Sequence, residues 1–219
     1  MSDPARASTV RNSLGVGVAV GAYGFAFGAA SVAAGLSVLQ SCLLSLLAFT
    51  GGTQFAVVGV VAGGGGLAAA LTSGLLLGAR NTLYAMRLTR LLQVRGLRRM
   101  LAALGTIDES TAMAVAQPEP RLSRVAFWWT FGSVFICWNL TTLVGAVIGT
   151  VVDPATIGLD AVIPAAFLAL LAPRLRAGRI ERRVAVAAAL IAGVLIPFTP
   201  PGVPVLAACA ALLLAVRVR

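Results

Sequence analysis

A cluster of polar and glycine residues interrupts the second apolar run of this sequence. It comprises Thr50, Gly51, Gly52, Thr53 and Gln54, with apolar sequence on both sides. A glycine pair weakens a helix because glycine loses the most backbone entropy on ordering. Unwound backbone at membrane depth is tolerated only where it is buried in protein or lines a wet cavity. Many transporters build substrate sites from such broken helices, and the cluster predicts a site of this kind.

Two side chains could bind the charged head group of an amino acid. Gln54 can both donate and accept hydrogen bonds, and the alternative role for it is a structural hydrogen bond between helices. Arg80 could hold a carboxylate through two parallel hydrogen bonds. The alternative for Arg80 is to snorkel to the cytoplasmic surface from a position near its helix end. Asn81 follows directly and adds an amide.

Three acids are candidates for carrying a proton. Asp160 stands closest to apolar sequence, and burial would raise its pKa towards neutrality. The alternative for Asp160 is an N-cap, a position that Asp favours. Asp108 and Glu109 form the adjacent acid pair of the chain. They are expected to be solvated or paired with loop arginines, and the alternative is a role in gating or in contact with a partner.

The sequence argues against enzymatic, metal-binding and cofactor-binding classes. It contains no His, so zinc proteases and Ser-His hydrolases are excluded. Asp160 alone lies at membrane depth, whereas an intramembrane aspartyl protease needs two such acids. The glycine run 63–66 lacks the Lys and Ser/Thr of a phosphate-binding loop. Cys42, Cys137 and Cys209 are far apart in apolar sequence and are interpreted as small hydrophobic residues.

Composition indicates a helical membrane protein. Of 219 residues, 59% are hydrophobic and 11% charged, and the mean hydropathy is +0.96. A soluble domain carries roughly 25% charged residues. The net charge of +10 comes from arginines that cluster between apolar runs. This is the pattern of cytoplasmic loops, so no nucleic-acid partner is expected.

The apolar runs predict one all-α, polytopic transmembrane domain over residues 1–219. The segment 97–117 is Ala-rich and amphipathic, and is expected on the membrane surface or against the bundle. The predicted membrane segments are residues 13–34, 38–62, 67–88, 125–152, 161–172, 184–196 and 205–216.

The arginine blocks leave two topologies open. Placing residues 87–124, 174–183 and the C-terminus in the cytoplasm fixes the orientation from residue 63 onward. If 38–62 spans the membrane, there are seven crossings and the N-terminus is outside. If 38–62 is a re-entrant pair of half-helices, there are six crossings and every arginine block is inside.

A possible inverted repeat relates two short apolar helices. One opens at residues 35–37 and breaks at Gly51-Gly52, and the other opens at 158–160 and stops at Pro173. Interrupted helices in corresponding positions of two halves are a pointer to a transporter site. The site is therefore expected between these two helices.

Read in order, a set of motifs resembles the AzlC family of branched-chain amino-acid exporters. The motifs are FGAASVAAGLS (27–37), FTGGTQFA (49–56), ARNTLYAMRL (79–88), DESTA (108–112), the region of Trp138 with Gly145 and Gly149, and GLDAVIPAAFLALLAPRL (158–175). The resemblance covers nearly the whole chain, and its specificity comes from order and spacing.

The resemblance implies export of branched-chain or similar hydrophobic amino acids across a bacterial inner membrane. It also implies a small, separately encoded AzlD-type partner subunit and proton coupling through Asp160, Asp108 or Glu109. The expected substrate-binding residues are Gly51, Gly52 and Gln54 for the zwitterion, Arg80 for the carboxylate, and Phe55 and Phe167 for the aliphatic tail. Asn81 and Pro164 complete the set. The alternatives are a channel or permease for another small solute, and a scaffold subunit that does not transport.

Overall fold

The computed structural model describes residues 3–152, 168, 171–172, 175–176, 178–199 and 203–213, and this part of the chain is helical. The predicted all-α class is confirmed for these residues. The α-helices are α1 (Pro4–Gly21), α2 (Tyr23–Ala33), α3 (Val38–Leu47), α4 (Gly51–Ala62), α5 (Leu67–Gly78), α6 (Arg80–Leu92), α7 (Leu97–Leu104), α8 (Asp108–Val115), α9 (Pro120–Val151), α10 (Arg179–Leu195) and α11 (Val203–Ala208), with a 3-10 turn at Cys209–Leu212.

Two stretches of the described residues are long and apolar enough to cross a membrane. α1 and α2 continue one another over the 30 residues of Pro4–Ala33, and α9 covers the 32 residues of Pro120–Val151. The first stretch begins earlier than its apolar run because Asp3 caps it. The Asp3 carboxylate accepts the Ala5 N–H at 3.1 Å, and Pro4 occupies the first helical position, where its missing N–H costs nothing.

The α1–α2 stretch packs along α9, and the two run parallel. Ser13 donates a hydrogen bond to the carbonyl of Ala126 at 3.5 Å, and Ser133 donates to the carbonyl of Ser13 at 3.1 Å. Further along, Gly28 lies against the backbone carbonyl of Thr142, where a Cβ atom would collide. Residue numbers rise together along both helices, so both start at the same end of the bundle. The small residues of α1 and α2 that face α9 thus let the two backbones come into contact.

Helices α3 and α4 form a splayed hairpin that enters the bundle from the far end, where α2 and α9 finish. Along α3, Ser41 bonds to Ser31 at 2.6 Å and Ser45 to Asn139 at 2.7 Å. The ring of Phe49, at the tip, lies 4.9 Å from that of Phe135. From Ser45 to Phe49, the contacted residue of α9 changes from Asn139 to Phe135. The hairpin therefore runs towards the N-terminal end of α9.

From this tip, α4 returns to the far end and α5–α6 then crosses the bundle. Gly74 of α5 faces Val57, and Gly78 faces Thr53, so α4 and α5 are antiparallel. Leu88 of α6 then packs with Phe127 near the start of α9. The residues between α3 and α4, Ala48-Phe49-Thr50, form the tip of the first hairpin, and we call them the outer tip.

Helices α7 and α8 form a second hairpin, entering from the opposite end. Ala102 and Ala114 are buried against Phe127, while the inner tip, residues 105–109, reaches the ring of Phe131. Ile107 shares one buried cluster with Phe49 of the outer tip. The two tips therefore meet inside the bundle. Residues 97–117 were expected on the membrane surface or against the bundle. In the structure they form two helices that pack against the bundle.

The N-terminus lies at the end of the bundle that carries the arginine block. An Arg121 guanidinium nitrogen is 3.6 Å from the Asp3 carboxylate, and the Thr9 hydroxyl is 3.4 Å from the Gln117 side chain. The membrane segment expected at residues 161–172 lies largely outside the described residues. So do Asp160, Pro164, Phe167 and Pro173, and with them the second member of the possible repeat.

Candidate functional site

The helix break predicted at Gly51-Gly52 is present, and the Gln54 side chain forms hydrogen bonds across it. α3 ends at Leu47 and α4 begins at Gly51. The Gln54 amide nitrogen donates to the carbonyls of Ser45 at 3.2 Å and Ala48 at 3.0 Å, and its oxygen accepts the Trp138 indole N–H at 3.0 Å. Gln54 is fully buried. Its amide thus satisfies carbonyls at the end of α3 that the helix leaves unpaired.

The two glycines are needed because other groups approach their backbone closely. A Cβ atom at Gly51 would lie 2.9 Å from the Trp138 ring, and one at Gly52 would lie 3.1 Å from a terminal nitrogen of Arg80. Trp138 therefore closes one side of the break and Arg80 the other. Trp138 was part of the resemblance, but no role could be assigned to it without the fold.

Arg80 links the two hairpin tips. Its guanidinium is 2.7 Å from the carboxylate of Asp108, in the first turn of α8, and the same carboxylate accepts the Tyr84 hydroxyl at 2.7 Å. Arg80 and Asp108 are both partly exposed. Asp108, which was expected to be solvated or paired with a loop arginine, is thus paired with Arg80 in the first turn of α6. Arg80 pairs within the bundle instead of snorkelling away from it.

The N-termini of α4 and α8 both point to the space occupied by Arg80. The first N–H groups of a helix have no intrahelical acceptor, and the helix dipole places partial positive charge there. In α8 the acids Asp108 and Glu109 occupy the first turn. In α4 the first turn contains no acid, and the Thr50 side chain does not cap it. The start of α4 is therefore a positive site without an anion of its own.

Several buried polar atoms near this place have no hydrogen-bond partner among the described residues. Thr53 is 91% buried, with a residual exposure of 9%, and its hydroxyl is unpaired. Such atoms are normally paired with protein, water or ligand. The unpaired atoms on the helices that meet here are the hydroxyls of Thr50, Thr53 and Thr111, Nε of Arg80 and Oδ1 of Asn81.

Phe55 belongs to an aromatic cluster behind the break. Its ring is 5.6 Å from that of Phe27 and 6.3 Å from that of Trp138. Phe27 and Phe55 are almost completely buried. The cluster gives the break an apolar wall.

Glu109 is the second acid at the inner tip. It belongs to α8, which is too short to span a membrane, and it makes no ion pair within the described residues. Burial raises the pKa of its carboxyl group, and the neighbouring Asp108 carboxylate adds to the rise. A backbone hydrogen bond and the Arg80 guanidinium oppose it.

The structure therefore brings most of the predicted site residues together. Gly51, Gly52, Arg80 and Asp108 form one continuous group, with Gln54 and Phe55 directly behind it. Three predicted residues, Asp160, Pro164 and Phe167, lie outside the described residues. Sequence reasoning missed the pairing of Asp108 with Arg80 and Tyr84. The sequence signal for this pairing was a central arginine and an acid pair, because each needs a partner of opposite charge in an apolar chain.

Comparison with known proteins assigns the chain to a family. A family profile described as AzlC protein matches residues 15–152, which contain both hairpins. The chain is 31% identical over 127 residues to the inner membrane protein YgaZ of Escherichia coli (strain K12). That alignment covers 57% of this chain and 51% of YgaZ, so the chain spans about half the length of that relative. No solved structure matches the chain. The profile covers well over half of the sequence, and the protein belongs to the AzlC family of transport-related membrane proteins.

Proposed function

We propose that this chain is a subunit of a secondary exporter that moves branched-chain or related hydrophobic amino acids across the bacterial inner membrane. One observation carries the proposal. Arg80 stands between the uncapped N-terminus of α4 and the acid-bearing N-terminus of α8, at the meeting point of two half-length hairpins. In other transporters, broken helices direct their positive ends at the anionic group of a substrate in this way.

The site offers complementary groups for a zwitterion. The substrate carboxylate binds at the start of α4, held by the backbone N–H groups of Gly51 and Gly52 and by the Arg80 guanidinium. The Asp108 carboxylate, 2.7 Å from Arg80, is the acceptor for the substrate ammonium group. The unpaired hydroxyl of Thr53 and the side-chain oxygen of Asn81 supply further hydrogen bonds. Gln54 has a positioning role because its three hydrogen bonds are already used.

The apolar part of the substrate would lie against the aromatic wall that includes Phe55, with Pro164 and Phe167 as further contacts from the sequence. A wall of this kind favours aliphatic side chains, because polar ones would lose hydration without gaining partners. This is the basis for assigning the branched-chain class.

Proton coupling would use the acids of the inner tip. Burial raises the pKa of the Glu109 carboxyl group, which favours a role in binding and releasing a proton, and Glu109 makes no ion pair within the described residues. Asp160 remains a further proton-carrying candidate from the sequence.

The proposed topology has six crossings, with the N-terminus and the C-terminus in the cytoplasm. The parallel course of α1–α2 and α9, and the Asp3–Arg121 contact, support it. Two parallel crossings require an odd number of crossings between them. α5–α6 supplies one, and the α3–α4 hairpin adds none because it returns to the end from which it entered.

A small AzlD-type subunit is the proposed partner, on the basis of the family resemblance. The assembly is tested by co-expressing the two chains and purifying through a tag on the smaller one. Recovery of this chain in a fixed ratio supports the proposal, and its absence under mild detergent contradicts it.

The transport proposal is tested by valine efflux from preloaded cells that express this chain with its partner gene. Arg80→Lys keeps the charge next to Asp108 but loses the two-pronged geometry, and is expected to slow efflux about tenfold or more. Arg87→Gln is the matched control, because Arg87 is exposed on the same helix and makes no ion pair within the described residues. Normal efflux by an Arg80→Lys protein that reaches the membrane would refute the assigned site.

A channel or permease would give a different result in the same cells. It would carry valine down its gradient at a rate independent of the proton gradient. A scaffold subunit would give no efflux change for Arg80→Lys at equal assembly. The exporter proposal requires that collapsing the proton gradient slows efflux.

A further inference from the structure

A cleft with three arginines opens at the junction of α6, α7 and α9, away from the proposed transport site. Its volume is about 740 Å³, and its lining includes Arg95, Arg98 and Arg124 together with Leu92, Leu101 and Trp128. No carboxylate is among its described lining residues. The ion pairs of the described chain use Arg80 and Arg121, so these three guanidinium groups have no acidic partner there.

Arg124 is fixed in place within this cleft. Its Nε donates to the carbonyl of Leu91 at 3.1 Å, at the C-terminal end of α6, and one terminal nitrogen donates to the Gln93 side chain at 3.1 Å. An arginine that is already oriented loses less entropy on binding an anion than a free one. Its remaining N–H groups are available to a ligand.

The loop from α6 to α7 brings the other two arginines over Arg124. Gln93 ends α6 in a left-handed conformation with φ 51°, and Gly96 also has a positive φ of 57°. These two positions reverse the chain within a few residues. Arg95, in the loop, and Arg98, in the first turn of α7, therefore reach the same cleft as Arg124.

The apolar part of the lining indicates an amphiphilic ligand. Leu92 and Leu101 line the cleft beside the arginines, and Trp128 is a ring of the kind that prefers the membrane interface. Three large apolar side chains of α7 are exposed, Leu97 at 71%, Met100 at 70% and Leu101 at 43%. A soluble anion would leave this apolar surface uncovered, whereas a lipid would cover it with an acyl chain.

We propose that this cleft binds the phosphate group of an anionic phospholipid from the cytoplasmic leaflet. The arginine block lies at the cytoplasmic end by the positive-inside rule, where anionic headgroups are found. Arg124 and Arg98 hold the phosphate oxygens, Arg95 adds charge, and an acyl chain runs beside Leu101. The lipid would anchor the base of the α7–α8 hairpin, whose tip carries Asp108.

Native mass spectrometry of the purified full-length chain, supplied with equal phosphatidylglycerol and phosphatidylcholine, tests the proposal. The wild type is expected to retain phosphatidylglycerol preferentially. Arg98→Gln should lower bound phosphatidylglycerol about fivefold, the effect of one basic group at a membrane surface. Arg99→Gln is the matched control, an exposed arginine of the same helix that does not line the cleft. Because Arg98 is exposed, its replacement should leave the fold intact.

Three outcomes would overturn the proposal. Equal loss with Arg99→Gln would mean that only general surface charge attracts the lipid. Equal retention of phosphatidylcholine would remove the selectivity for an anionic headgroup, because both lipids carry a phosphate. Displacement of phosphatidylglycerol by millimolar inorganic phosphate would make a free anion the occupant. Preferential retention that survives phosphate and is lost in Arg98→Gln supports the lipid site.

Discussion

Gln54 illustrates how a polar residue at a helix break can be structural. From its position it was a plausible group for binding substrate. In the fold it is buried, with both amide hydrogens donated to carbonyls of α3 and its oxygen accepting from Trp138. The break and the hydrogen-bonding residue were predictable from the sequence. Its partners were not, because Trp138 comes from a distant helix and Ser45 and Ala48 become partners only when α3 ends.

The main effect expected of Gln54→Ala is therefore a loss of protein stability. It leaves the buried Trp138 indole N–H and the Ser45 carbonyl without their hydrogen-bond partner, whereas the Ala48 carbonyl keeps the Thr50 N–H. Each unsatisfied buried group costs about 1–3 kcal/mol. We expect a clearly lower midpoint of thermal unfolding in detergent. Trp138→Phe removes one shared hydrogen bond, so the double variant should lose less stability than the sum of the single variants.

The outcome that would contradict this role is specific. Strictly additive losses would mean that Gln54 and Trp138 do not share a hydrogen bond. A Gln54→Ala protein with normal thermal stability and no valine efflux would place Gln54 in direct contact with substrate.

Arg80 and Asp108 show the limit of local reasoning at the residue scale. Each has a clear need for a partner in an apolar chain, because an unpaired charge at membrane depth is costly. Their 2.7 Å contact joins α6 to the inner tip, and nothing in the spacing of the two residues encodes it. What the sequence supplies is the scarcity of charges, which limits the possible pairs.

At the scale of elements, the two hairpins differ in how visible they are in the sequence. The outer tip contains a glycine pair in an apolar run, so its break is predictable. The inner tip lies in an amphipathic segment that was expected to be one element over residues 97–117. Gly105 packs directly against the ring of Phe131, and Ser110 bonds to the Ile107 N–H at 3.3 Å. These tertiary contacts and the local cap stop α7 and start α8.

The contact between α2 and α9 can be tested with a matched pair of glycines. Gly28→Ala would place a methyl group against the Thr142 carbonyl and the Ala146 backbone nitrogen, where backbone has to move. Gly15 lies in α1 with open space around its Cβ position. We expect Gly28→Ala to lower the unfolding midpoint strongly, as an overpacked core substitution costing about 1–3 kcal/mol. Gly15→Ala should leave the midpoint unchanged or raise it slightly.

Size-exclusion profiles and thermal unfolding of tagged variants in detergent provide the measurement. Equal stability of the two variants would mean that α2 and α9 are not in backbone contact at Gly28. The parallel packing that underlies the proposed topology would then lose its support.

At the scale of the whole molecule, the helix arrangement relates the course of residues 38–62 to the side on which the N-terminus lies. The number of crossings, six or seven, could not be decided from the sequence, because the length of residues 38–62 suits a span or a re-entrant pair. The structure shows α3 and α4 entering and leaving at the same end, and the N-terminus beside Arg121. With six crossings, every arginine block lies on one side, in agreement with the positive-inside rule.

Cysteine accessibility in intact cells tests this topology, using a membrane-impermeant thiol reagent and a background in which Cys42, Cys137 and Cys209 are replaced. Ala5→Cys, on the exposed first turn of α1, is expected to stay unlabelled, because six crossings place it in the cytoplasm. Gly66→Cys, with open space around it, should be labelled, since residues 63–66 are outside in both topologies.

The remaining arm of the accessibility experiment separates topology from poor expression. Ala116→Cys lies between α8 and α9, next to the arginine block, and serves as the cytoplasmic control. Ala5→Cys and Ala116→Cys should behave alike, unlabelled in intact cells and labelled after permeabilisation. Labelling of Ala5→Cys in intact cells, with Ala116→Cys still protected, would require residues 38–62 to span. The Asp3–Arg121 contact would then be impossible, because its two partners would lie on opposite sides of the membrane.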